Sequence, residues 1–164
     1  MATSSLEPTL CIQLTLHLSQ SLGDVSSFVD GRLSISYPNT ASTSRFFPIG
    51  KGSIYRPVTL QQTATSSSPV VTIEMINTTP TGSYASTLEG ISATRYYAVS
   101  LLSGTMNSPI VELNFNTNSP TDESVSVAGN VHVARSTSAS GPWTDEGGSG
   151  VISQLHLLVM SIHK

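Results

Sequence analysis

Short runs of alternating apolar and polar residues, cut repeatedly by Gly, Pro, Asn and Ser, constrain this chain more than any other feature. Leu33/Ile35/Tyr37, Val71/Ile73/Met75, Tyr97/Val99/Leu101 and Val111/Leu113/Phe115 each keep a period of two. That spacing places each set on one face of a pleated strand. Arg45–Ile49, Tyr55–Gln62, Ser124–Ala128, Asn130–Arg135 and Val151–Met160 read as further strands. The breaks carry turn chemistry: Asp30-Gly31, Pro38-Asn39, Gly50-Lys51-Gly52, Pro80-Thr81-Gly82 and Gly129-Asn130. Gly129-Asn130 joins two β-branched runs and predicts a tight hairpin. No stretch repeats the helical period over a long window, and Thr87–Thr94 has room for one short helical turn.

About nine or ten such strands in one domain predict an all-β fold, an antiparallel β-sandwich of Ig-like or jelly-roll-like type. The end of a parallel β-solenoid is the alternative, and it would require a fixed repeat period. Leu10, Ile12, Leu14, Leu16 and Leu18 also alternate with polar residues, so Thr9–Leu18 reads as a half-buried strand. The expected organisation is therefore an N-terminal strand and lead-in over residues 1–25, as from a preceding domain, followed by the sandwich over 26–164. Met1–Pro8 contains Glu7 and no Lys or Arg, unlike the basic start of a secretory signal. Val70–Ile76 and Gln154–Ile162 combine β-propensity with few charges, a self-association hazard wherever such a strand is left as an open edge.

Composition narrows the function classes. The 164 residues include 29 Ser and 19 Thr but only 10% charged residues, with a formal net charge of −3. That balance lacks the basic footprint of a nucleic-acid or anionic-lipid binder. No apolar run is long enough for a membrane-spanning helix. One Cys excludes an internal disulfide and a Cys-rich zinc site. His17, His132, His156 and His163 show no metal-ligand spacing, and His17 and His132 read as strand-face residues. Asp122-Glu123 and Asp145-Glu146 lack the arrangement of a calcium loop and read as solvated loop carboxylates. G-x-S-x-G is absent, as is a glycine-rich phosphate loop. The chain is therefore expected to have no catalytic residues, metal or cofactor.

Two features admit a binding role beside a structural one. Trp143, the single Trp, follows Gly141-Pro142 at a turn. It is either a core plug closing one end of the sandwich or an exposed platform that stacks on a sugar ring with Tyr55, Tyr96 or Tyr97. In Phe46–Leu60, the aromatic and aliphatic residues anchor strand ends, Pro48 suits a strand terminus, and Gly50 and Gly52 permit a tight turn. Arg56 before Pro57 is held extended. Lys51 and Arg56 are the alternative rim of a binding site.

Four segments, ordered along the chain, carry a family resemblance. Phe46-Phe47-Pro48-Ile49-Gly50-Lys51-Gly52-Ser53-Ile54-Tyr55-Arg56-Pro57-Val58-Thr59-Leu60 resembles the "FPVGK…YRPVTL" signature of large surface and secreted proteins of Bacteroidetes and related bacteria. Ser26–Gly31 resembles the "SFVDG" that stands upstream in such proteins. Ile91–Tyr97, then Val131–Arg135 with Gly141-Pro142-Trp143-Thr144 and Gly147-Gly148, resemble their downstream strands. Tyr97 stands where the family commonly has Trp. The resemblance implies a β-sandwich module of a long chain exported by type IX secretion, located at the cell surface or outside the cell. The expected role is structural or adhesive, with neighbouring domains as partners. The alternatives are a carbohydrate-binding module for cell-surface glycans, or an accessory domain of a secreted hydrolase.

Overall fold

The computed structural model describes residues 23–64, 67–114, 131–148 and 157–163. Among them there is no helix, and thirteen strands form three small sheets. β1 (Val29–Asp30), β4 (Ile49–Lys51) and β5 (Ile54–Tyr55) make the first, in the order β1-β4-β5. β3 (Thr43–Phe47), β6 (Val58–Gln62) and β10 (Ile110–Leu113) make the second, with β6 central and both pairings antiparallel. The third has seven strands and runs β12 (Thr144–Asp145), β11 (Val131–Ser136), β13 (Leu157–His163), β9 (Tyr96–Ser103), β7 (Val70–Ile76) and β2 (Leu33–Ser36). Its seventh strand, β8 (Leu88–Ile91), pairs with β13. Pairing between strands is antiparallel except at β1–β4, and no solenoid coil forms among the described residues.

The period of two decides what is buried. Val71, Ile73 and Met75 of β7 are fully buried, as are Val58 and Leu60 of β6. With Tyr37, Phe47, Ile49, Tyr97, Val99 and Val111 they form one apolar cluster, to which all three sheets contribute. Tyr37 spans the cluster and donates its hydroxyl to the Leu60 carbonyl at 2.8 Å. Burial pushes its phenol well above the ordinary value, with the Arg45 charge opposing. Gln62, also fully buried, donates to the carbonyls of Pro38 and Thr40 and so ties down the loop before β3. Leu88, Ala134 and Trp143 form a second, smaller cluster, flanked by Ala85, Ile91 and Tyr96. Each large apolar side chain fully buried contributes about 1.5–3 kcal/mol. The eleven-residue cluster therefore dominates the three-residue one.

Several expectations are corrected. Pro57 divides the predicted strand Tyr55–Gln62 into β5 and β6, and Pro48 divides Arg45–Ile49 between β3 and β4. Such divisions raise the strand number above nine or ten, because proline cannot donate to a ladder. Thr87–Thr94 holds strand β8 and a jog rather than a helical turn. In the jog, Ser92 Oγ accepts from the backbone N–H groups of Thr94 at 3.2 Å and Arg95 at 3.1 Å. This side chain substitutes for a ladder partner and lets β8 and β9 share one flank of β13. β7 is flanked by β2 and β9, so it is not an open edge. Leu101 departs from its strand pattern: a bulge opposite Val70 and Val71 leaves it 39% exposed and Leu102 64% exposed. Thr9–Leu18, Ser124–Ala128 and the Gly129-Asn130 turn lie outside the described residues.

Candidate functional site

Two places in the fold gather charged and aromatic side chains. The first is the small sheet β1-β4-β5. Parallel pairing sets Asp30 opposite Gly50, which aims the carboxylate at the turn beyond β4. Asp30 Oδ1 lies 2.9 Å from Lys51 Nζ, and the Gly52 N–H donates to Oδ2 at 2.9 Å. The Lys51 ammonium and the Gly52 amide hold the Asp30 carboxyl below its usual range, and Asp30 in turn raises Lys51. Behind this pair the Phe28 and Tyr55 rings lie 5.6 Å apart with a 30° tilt. The Tyr55 hydroxyl donates to the Gly23 carbonyl. Burial, and then the Asp24 charge, raise the Tyr55 phenol. The Ser26–Gly31 and Phe46–Leu60 segments, separate in sequence, are thus mutual supports in space.

Lys51 and Asp30 are both open to solvent, so screening removes most of their attraction. Lys51→Met is therefore expected to leave the melting temperature nearly unchanged in 0.15 M salt. A large fall on calorimetry would contradict this reading of the pair.

The second place is the β11–β12 hairpin and the loop before β8. Antiparallel register sets Ala134 opposite Asp145 and Arg135 opposite Thr144. His132 and Arg135 on β11 then meet Asp145 at the end of β12 and Glu146 just beyond it. Asp145 Oδ1 lies 2.8 Å from His132 Nδ1 and accepts the Gly147 N–H at 2.9 Å. Its Oδ2 accepts the Thr87 hydroxyl at 2.7 Å. Arg135 Nε donates to Glu146 Oε1 at 2.8 Å, and the Thr144 hydroxyl reaches the same oxygen at 3.2 Å. Burial opposes ionisation of Asp145, but the bonds from Thr87, Gly147 and His132 together outweigh it and lower its carboxyl. Asp145 and Glu146 side chains are only 15% and 11% exposed. They are paired and largely covered, which corrects their expected place as solvated loop carboxylates.

The carboxylate orients the imidazole as in a general-base pair. However, Thr87 meets the carboxylate rather than the imidazole, the reverse of the order in a nucleophile–base–acid relay. Among the described residues no group of three or more His, Cys, Asp or Glu side chains could hold a metal ion.

Of the aromatic residues singled out from sequence, the structure brings Tyr96 to Trp143 in the interior and leaves Tyr55 and Tyr97 elsewhere. Trp143 is 1% exposed, and its Nε1–H donates to the Thr81 carbonyl at 2.8 Å. A sugar platform needs a ring face open to water, so the stacking role is corrected: here the indole is a core element. Tyr97 is buried in the main cluster, whereas its neighbour Tyr96 packs against the Trp143 cluster. Adjacent strand residues point to opposite faces, which separates the two rings. Tyr55 belongs to the β1-β4-β5 sheet, where Arg56 donates from Nη1 to the Tyr55 carbonyl at 2.6 Å. Neither Lys51 nor Arg56 shares a site with Trp143. Sequence reasoning read His132 only as a strand-face residue and singled out neither Arg135 nor Thr87. The available signal was two basic side chains in one strand and two acids just beyond the following turn.

The described residues define an all-β protein of several small, mostly antiparallel sheets. No protein-family model matches the chain, and no curated protein or solved structure matches it.

Proposed function

We propose that the chain is a non-catalytic structural or adhesive module of a bacterial cell-surface or secreted protein. It is read as an antiparallel β-sandwich that spaces, docks or displays neighbouring domains. The sandwich reading is supported by the apolar cluster that the β3-β6-β10 sheet shares with the seven-stranded sheet. The observation that carries the functional reading is how the polar side chains are used. Asp30 fastens the β4–β5 turn, Asp145 fastens a loop to a hairpin, and Arg135 and Glu146 clasp the hairpin itself. Chemically capable groups spent as fasteners suit a load-bearing or spacing element. The ordered Ser26–Gly31 and Phe46–Leu60 segments favour a surface module over other all-β proteins.

The test combines substrate turnover with glycan binding on the purified chain. Ester, glycoside and peptide substrates are expected to remain intact, and a glycan array to stay blank. Hydrolysis that His132→Ala abolishes in a folded protein would overturn the reading. Array binding that Tyr55→Ala removes, again without unfolding, would move the assignment to a carbohydrate-binding module.

A further inference from the structure

We propose that segment 77–87 is an acid-released strap over Trp143, latched to the β11–β12 hairpin through the Asp145 carboxylate. The strap crosses the smaller apolar cluster and is held by a short set of bonds. Thr81 N–H donates to the Ala139 carbonyl at 2.9 Å, and the Ser83 carbonyl accepts from Trp143 N–H at 2.9 Å. Ala85 N–H donates to the Trp143 carbonyl at 2.9 Å, and the indole N–H reaches Thr81. The Thr79 hydroxyl also donates to the Ala93 carbonyl at 2.6 Å, and of these bonds the Thr87–Asp145 bond is the one in which an ionised group takes part. Hydrogen bonds to ionised groups are about twice as strong as neutral ones.

Local opening is set apart from global unfolding by the division of the core. Beneath the strap lie three fully covered residues, against eleven in the main cluster. Most strap residues are exposed, and β12 is a two-residue strand at the rim of its sheet. Segments with few buried apolar contacts open at lower free energy than the core. The groups that face Asp145 among the described residues set the sign of the response. They are His132 on β11, the Thr87 hydroxyl of the strap and the Gly147 N–H of its own hairpin, while Arg135 on β11 stands opposite Thr144 and pairs with Glu146. On β13, His163 stands opposite Leu88 in register.

A carboxyl held below its unfolded value stabilises the fold above that value, about 4 for Asp, and loses the contribution as pH falls through the folded one. Protonation takes the charge out of the Thr87 bond, which weakens it, and at the same time removes the counter-charge of His132. The strap therefore releases as pH falls through about 4 and below.

Trp143 is the only Trp, so its fluorescence reads the strap directly. On acidification of the whole chain, Trp143 emission is expected to shift red and become open to acrylamide quenching while the far-ultraviolet β signal persists. Asp145→Asn should flatten this acid response. Thr87→Val, which leaves the hairpin pairs intact, should move its midpoint up by about half a unit to one unit. Emission and β signal falling together at one midpoint would overturn the proposal. So would a wild-type midpoint in Thr87→Val or in a folded Asp145→Asn protein.

Discussion

Trp143→Ala is expected to cost about 3–5 kcal/mol of folding stability, the range for deleting a large buried aromatic side chain. The indole is almost wholly buried between Leu88 and Ala134, and it supplies the N–H that the Thr81 carbonyl accepts. Its removal leaves a void that alanine cannot fill and an acceptor without its donor. Urea unfolding followed by circular dichroism would show the midpoint falling with little change in slope. Trp143→Phe should lose less, because a ring still occupies most of the space. A loss below about 1 kcal/mol in the alanine variant would refute the placement of Trp143 as a core element.

Gly50→Ala is the second substitution with a large expected effect. A Cβ at Gly50 would overlap the Ile54 carbonyl oxygen and stand 2.6 Å from Phe28 Cε2. The carbonyl belongs to the β4–β5 hairpin and the Phe28 ring packs on Tyr55, so neither can move alone. Overpacking of this kind costs about 1–3 kcal/mol, and more where backbone is the obstacle. Gly90→Ala is the matched control: a Cβ there meets nothing within 4 Å, and stability is expected to change little. Thermal unfolding of the two variants side by side distinguishes them. Equal melting temperatures would show that the Phe28–Gly50 contact constrains nothing.

The strand content was legible because burial acts locally on alternate residues. Val71, Ile73 and Met75 announce their shared face, and the structure buries all three. Turn chemistry was equally readable at Gly50-Lys51-Gly52, where φ at Gly52 is +61°. Partner choice was not legible, since a period of two says which face is apolar and not which strand lies alongside. Hence β7, a suspected open edge, proves interior. The position of Trp143 was open for a related reason: a Trp after Gly-Pro suits a plug or a platform equally. What decides is segment 77–87, far away in sequence, lying over it. His132 and Asp145 illustrate the same limit, because their pairing follows from a hairpin register that neither residue specifies alone.

Strand β13 lies inside its sheet, with β11 along one flank and β9 and β8 sharing the other. It is also the latest of the described strands in sequence. As the chain leaves the ribosome, β2, β7 and β9 can pair in turn, while β11 and β12 assemble as a separate hairpin. Among the described residues the two pieces share no ladder until 157–163 emerge and pair with both. During that interval β9 and β11 each offer unsatisfied backbone to any strand nearby. The exposure of β9 and β11 therefore lasts until this one late strand arrives.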